Sequence, residues 1–454
     1  MKTSEKGQSR RDFLVGSGKL AGFSVLSSAA PLAAFQAAKP AATPPAAPPA
    51  ARSTSAIRPA LKITAVEVWQ VNGMEPRVEG LNGQPALVPI HVYPEDRPEP
   101  YKDSPNPRNS VRPSNRLYLK IVTDQGAEGF YGPISDDAVR VIDTQLRAFL
   151  VGQDALAIDT IADKMFRRAN NTLGSQYGAG VSAVDNTLWD LRGKYFGLPV
   201  YKLLGGSRKT LDVYCSTLGF SLELDKVKTR ALELKKQGFV RQKWFPGYGP
   251  SSGAWGYTQN VELARILRET LGDEAEIMID PHRGWTLAYT LRFLKDVEPY
   301  KLRWIEEMFT PPAIEDFAQV RRLTGVPVAT GESLYGRYEV RNYIEAGALD
   351  VIQCEPDRCG GLSELVKLSA LASTYGLILI PHGGGIRPGV HLVASQSPAV
   401  SPYAEFLMLS RIQAMYYEQN PMIPVNGQIT IPDLPGLGIE LDKSKVEALK
   451  KIAG

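Results

Sequence analysis

From Leu61 the chain alternates apolar and polar positions through LKITAVEVWQV, then through RLYLKIVTD and GAEGFYG, the last two joined by the turn Asp124-Gln125-Gly126. Such alternation predicts half-buried strands, here a small antiparallel meander. The intervening segment, residues 73 to 115, is rich in Pro, Asn and Arg, and a connection this long is usually functional or disordered. The period becomes helical from about Asp137 to Phe166 and again from Gly180 to Tyr195. After Gly205 the rhythm changes to strand, helix, strand, helix. The candidate strands are DVYCS (212–216), FVRQKWF (239–245), EIMID (276–280), LRWIEE (302–307), PVATGE (327–332), DVIQCE (350–355), LILIPH (377–382) and YAEFLM (403–408). Amphipathic patterns such as 223–237 and 258–271 lie between them. Eight such strands predict an α/β chain with a closed parallel barrel rather than an open sheet.

Three acidic residues stand at a fixed interval of 26, namely Asp280, Glu306 and Glu332. Each closes an apolar run, and each interval holds one helical pattern. Three consecutive βα units therefore deliver three carboxylates to the C-terminal end of one sheet, where barrel active sites form. Converging carboxylates repel one another unless a hard cation sits among them, and an all-oxygen ligand set suits Mg²⁺. The alternative is solvated charge at strand ends. Lys243, Glu355, His382 and Glu405 reach the same end. Glu307 adjoins Glu306, and strand alternation puts it on the opposite side, as a supporting or salt-bridged group.

The length of 454 residues exceeds one ordinary domain. A net charge of +4 with no Lys/Arg run gives no sign of a nucleic-acid partner. Cys215, Cys354 and Cys359 lack zinc spacing and read as buried barrel residues. Residues 1–38 read as an address: Ser9-Arg10-Arg11-Asp12-Phe13-Leu14-Val15 is similar to the twin-arginine export signal, and an Ala-rich apolar stretch follows. Lys19 and Pro31 interrupt that stretch, so a stable membrane anchor is not expected. The expected location is periplasmic, with residues 39–58 as a Pro/Ala-rich linker.

From about residue 60 to 430 the chain resembles the enolase superfamily, in its mandelate racemase branch and especially its acid-sugar (rhamnonate- and galactonate-type) dehydratases. The resemblance rests on AVDNTLWDLRGKYFGLPVYKLLGG, the three spaced carboxylates, Cys359-Gly360-Gly361-Leu362 and Ile380-Pro381-His382-Gly383, in that order. It implies a modified (β/α)7β TIM-like barrel over residues 186–415, an N-terminal α+β capping domain over 59–185, and a segment 416–454 returning to the cap. It implies Mg²⁺ on Asp280, Glu306 and Glu332, a small carboxylate substrate of the sugar-acid class, and a homo-oligomer. The implied chemistry is removal of the proton next to a carboxylate, then loss of the β-hydroxyl to give a 2-keto-3-deoxy acid.

In that scheme His382 is the base and Glu355 its orienting partner, where the family usually has Asp; Asp357 is a nearby substitute. Lys243 matches the first Lys of a Lys-x-Lys motif and contacts substrate or enolate, whereas Phe245 fills the second position and disfavours Lys-based racemisation. His282, two residues beyond Asp280, is a candidate acid, as is Glu405. Arg337 and Arg387 are candidates for binding hydroxyls or carboxylate, or surface residues. The alternatives are a racemase, epimerase or lactonising enzyme of the same superfamily, or a periplasmic binding protein without turnover.

Overall fold

A computed structural model describes residues 60–76, 85–97, 111–169, 174 and 176–454. The export-signal and linker expectations lie outside these residues, as does much of the segment between the first two strands. Among the described residues no helix is long and apolar enough to cross a membrane.

The alternating N-terminal runs form strands β1 (Ile63–Pro76), β2 (Val111–Thr123) and β3 (Glu128–Ile134), paired antiparallel in that order. Every second side chain packs inward, with Val66, Val68, Leu119 and Ile121 fully or nearly fully buried. Helix Gln176–Phe196 packs on β3 and is buried around most of its circumference. An all-round buried helix must satisfy its own polar groups internally. Asp190 accepts from the N–H of Phe130 in the cap (2.8 Å) and of Leu437 near the C-terminus (2.8 Å). Asn186 accepts from the Leu362 N–H (3.0 Å) and donates to the Pro356 carbonyl (3.2 Å). Asp185 accepts from the Ser363 N–H (2.8 Å). The AVDNTLWD run is therefore a polar pivot that fastens cap, barrel loop and tail to one helix.

The barrel strands are β4 (Thr210–Ser216), β5 (Arg241–Trp244), β6 (Glu276–Ile279), β7 (Trp304–Glu306), β8 (Val328–Thr330), β9 (Val351–Ile352), β10 (Ile378–Leu379) and β11 (Ala404–Leu407). From β4 to β10 each strand pairs in parallel with the next, and β11 pairs in parallel with the other edge of β4. The molecule is a modified (β/α)7β barrel with an N-terminal capping sheet. Tyr214, Met278, Trp304, Ala329, Val351, Ile380 and Tyr403 fill its interior. Each apolar run of the sequence carries one strand, but the paired portions are shorter. The chain turns outward at each C-terminal end, which leaves Asp280, Glu332, Glu355 and His382 just past the last paired residue.

Two further strands complete the fold: β12 (Gln428–Thr430) pairs antiparallel with β4, and β13 (Ala448–Ala453) adds to the free edge of β1. The route between them is held by Arg387, which is 2% exposed and bonds Glu418 and the carbonyls of Leu437 and Gly438. Arg337 pairs with Glu364. Both arginines are thus engaged by the framework, Arg387 as a buried rather than a surface residue.

Candidate active site

Side chains from several strand ends meet at the C-terminal mouth of the barrel. Lys243, the penultimate residue of β5, is fully buried and faces three carboxylates. Its Nζ contacts Glu306, lies 2.8 Å from Glu405 and 3.4 Å from Asp280. Burial alone would lower the pKa of this amine, but Glu306 and Glu405 outweigh it and hold the ammonium charged. Burial raises Glu306 to about 8 and Asp280 to about 6, against the opposing pull of Lys243.

Glu307 corrects the alternation argument. Its backbone is left-handed (φ 37°), so the strand ends there and the side chain does not follow the pleat to the far face. It is 3% exposed, lies 3.6 Å from Arg283, and its pKa is raised by burial and by Glu332 and Asp280. Arg283 also reaches Glu332 at 3.7 Å. Asp280, Glu306, Glu307, Glu332 and Glu405 are thus five buried carboxylates bracketed by two permanent cations, Lys243 and Arg283. One buried oxygen of Glu307 has no hydrogen-bond partner. Five crowded acid groups, two of them driven toward the neutral form by burial and by one another, and an orphaned hard oxygen fit a divalent cation. With Lys243 standing between Asp280 and Glu306, no three His, Cys, Asp or Glu side chains among the described residues close on one metal-sized point.

His382 is held from both ring nitrogens. Nδ1 bonds the Glu355 carboxylate, and Nε2 lies 3.0 Å from Glu332. Burial would lower its pKa, but Glu332 chiefly, with Glu405, raises it well above the ordinary histidine value. Glu355 is itself fixed by the N–H of Gly385 (2.7 Å) and Asp357 (3.0 Å). The extra methylene of Glu relative to Asp is accommodated by Gly384, where any Cβ would run into the Glu355 carboxylate. Glu355 thus fills the orienting position, and Asp357 instead accepts from the Tyr131 hydroxyl of the cap at 2.5 Å.

The two acid candidates, His282 and Glu405, are both engaged by neighbouring groups. His282 Nδ1 lies 3.1 Å from the Leu87 carbonyl and Nε2 3.0 Å from the Arg283 guanidinium. A carbonyl only accepts and a guanidinium only donates, so the ring is neutral with its proton on Nδ1. Burial and Arg283 lower its pKa accordingly. In this arrangement the ring bridges the cap segment and the barrel. Glu405 accepts from the Gly383 N–H (2.8 Å) and pairs with Lys243. Burial would raise its pKa, but Lys243 and His382 lower it, so it is held ionised beside His382.

A cleft of about 600 Å³ opens beside His382 and Glu355 between cap and barrel. Its wall includes Arg116, Arg358 and Arg411, none of which was singled out from the sequence. Arg358 and Arg411 do have a sequence signal: each is a basic residue shortly after a strand end that carries a functional carboxylate. Arg283 and the inward Glu307 carry none, because both depend on left-handed backbone that composition does not announce.

A barrel whose strand ends gather acids around a lysine, beside a carboxylate–histidine pair, defines an enzyme site for chemistry on an anionic substrate. Residues 106–205 match the mandelate racemase / muconate lactonizing enzyme N-terminal domain, and residues 226–445 the enolase C-terminal domain-like model. The chain belongs to the mandelate racemase/muconate lactonizing enzyme family of the enolase superfamily, whose members use Mg²⁺. It is 32% identical to the L-rhamnonate dehydratase of Saccharopolyspora erythraea, over 71% of this chain and 79% of that one. It is 29% identical to the D-galactarolactone cycloisomerase of Agrobacterium fabrum, over 75% and 93%. The crystal structure of rhamnonate dehydratase from Gibberella zeae complexed with Mg superposes with a TM-score of 0.73 at 26% identity, covering 86% of this chain and 96% of that one.

Proposed function

We propose that this enzyme is a Mg²⁺-dependent hydro-lyase that dehydrates a sugar acid to a 2-keto-3-deoxy acid. The observation that carries the reading is the His382–Glu355 pair, buried at the mouth of the barrel with Nε2 aimed at the carboxylate cluster. The similarity to rhamnonate dehydratases supports the same chemistry.

Asp280, Glu306 and Glu332 would hold the cation, with Glu307 and Arg283 alongside. Bound Mg²⁺ supplies positive charge against the substrate carboxylate and the negative charge that grows on it as the α-proton leaves. His382 takes that proton at Nε2 while Glu355 fixes the ring through Nδ1. With a cation on Glu332, His382 would lose the carboxylate that chiefly holds it protonated and would be free to act as a base. The same imidazolium then delivers its proton to the departing β-hydroxyl, since His282 and Glu405 are both engaged elsewhere. Lys243 offsets carboxylate charge and lies within reach of the developing enolate. Phe245 leaves the opposite face without a second lysine.

A screen of acid sugars with Mg²⁺, read by semicarbazide absorbance of the keto acid and by α-proton exchange in deuterated solvent, tests this. Keto acid lost in His382→Asn and Glu332→Gln supports the reading. Exchange without keto acid favours the racemase or cycloisomerase alternative, and neither would sink it. We also propose twin-arginine export, motivated by Arg10-Arg11 in the leader. Cell fractionation that finds the protein only in the cytoplasm with its leader intact would refute export.

A further inference from the structure

We propose that the substrate carries a second carboxylate at its far end, held by Arg358 and Arg411, so that the sugar acid is a dicarboxylic one. The inference rests on the dehydratase reading and narrows its substrate class.

Both arginines line the cleft beside His382. Arg411 touches the Gly384 carbonyl and, at 3.5 Å, the Ser410 hydroxyl, and has no carboxylate partner among the described residues. Arg358 is exposed at the rim and makes no ion pair or side-chain hydrogen bond among them. Guanidinium groups near carboxylates normally pair, because the planar fork matches the carboxylate in two parallel hydrogen bonds. Here the wall carboxylates are already engaged: Glu355 by His382 and Gly385, Asp357 by Tyr131. Asp137, the remaining acid on the wall, pairs with neither arginine. Arg116 is matched by the buried Glu75 at 2.8 Å.

The cleft thus reaches the His382–Glu355 dyad and carries on its wall two guanidinium groups that pair with no carboxylate among the described residues, Asp357 being the wall acid whose charge they feel. A monocarboxylic sugar acid would offer them only hydroxyls, which hydrogen-bond more weakly than an ionised acceptor. A terminal carboxylate supplies two ionised oxygens. A terminal phosphate shares that anionic chemistry and is the source to be separated by experiment.

The test uses the full mature protein with Mg²⁺ and matched sets of one configuration: the aldonate, the aldarate and the terminally phosphorylated aldonate. The expected result is a kcat/KM for some aldarate that exceeds its aldonate by about tenfold or more. In Arg358→Met the aldarate/aldonate ratio should fall by about tenfold to a hundredfold, chiefly through KM. Arg411→Lys should show the same shift; because Arg411 bonds the loop of the base, Arg358→Met is the cleaner variant. Binding of aldarate and aldonate to Mg²⁺-loaded His382→Asn protein, measured by calorimetry, repeats the comparison without turnover. Aldonates preferred in rate and binding, with a ratio that Arg358→Met leaves unmoved, would overturn the proposal while leaving the dehydratase reading standing. Preference for the phosphorylated aldonate also overturns the dicarboxylic assignment. Keto-acid formation and α-proton exchange from no sugar acid would instead remove the dehydratase reading, and the calorimetric comparison would still decide the second carboxylate.

Discussion

At the scale of single residues the site is governed by how buried charges are matched. Glu355 orients His382 and keeps its Nδ1 engaged, so Glu355→Gln should slow α-proton exchange on the order of a hundredfold, read by NMR in deuterated solvent. Gly384→Ala should produce a similar loss together with a lower melting temperature, since the new Cβ displaces the Glu355 carboxylate from His382 and from the N–H groups of Gly385 and Asp357. An unchanged exchange rate in both variants would remove Glu355 from the mechanism. Lys243 raises a different issue, because it is the buried cation that faces Glu306, Glu405 and Asp280. Removing one partner of a buried charge cluster leaves the rest uncompensated, at a cost of about 3–5 kcal/mol. Lys243→Met should therefore melt lower without metal, and added Mg²⁺ should raise its melting temperature more than that of the unaltered protein. Equal increments would mean that lysine and metal do not share the same carboxylates.

At the scale of elements, the sequence is most legible where one βα unit repeats. The interval of 26 between acids survives because each unit spends one strand, one helix and two turns, so Asp280, Glu306 and Glu332 all reach the mouth of the barrel. Legibility fails where a turn reverses the pleat, as at Glu307, or where a ring is captured by a neighbouring segment, as His282 is by Leu87. Periodicity reports which face a side chain takes inside an element and nothing about the residue after its end. The pivot helix shows a third limit: AVDNTLWD could be placed on a helix, but its Asp and Asn side chains work across long sequence separations. Asn186 holds both ends of the loop that carries Glu355, through Pro356 and Leu362. Asn186→Ala should cost about 1–3 kcal/mol in denaturant unfolding, from two buried backbone groups left unmatched. It should also slow α-proton exchange, although Asn186 touches neither base nor substrate. A loss of stability with unimpaired exchange would show that the loop keeps its shape without the pivot.

At the scale of the whole molecule, cap, barrel and tail are joined through buried polar contacts whose protonation must suit the folded state. His391 is the clearest case. It is 1% exposed and its Nδ1 accepts from the Tyr201 N–H at 3.1 Å. Burial, with Arg387 adding to it, lowers its pKa from 6.5 to about 3. The ring is therefore neutral in the folded protein and protonates more readily when the chain unfolds. Because the folded pKa lies below the unfolded one, its contribution to stability is complete above about pH 6.5. That contribution is lost progressively as pH falls toward 3, at up to about 1.4 kcal/mol per pH unit. Arg387, which lowers that pKa, also holds the tail through Glu418, Leu437 and Gly438, so acid acting on His391 also strikes the junction of barrel and tail. His391→Asn keeps an acceptor for the Tyr201 N–H and does not titrate. Urea unfolding from pH 7 to pH 4 should lose stability less steeply in this variant, by about one proton's worth of slope. Parallel curves for the two proteins would place the acid sensitivity elsewhere, in the carboxylates of the barrel mouth.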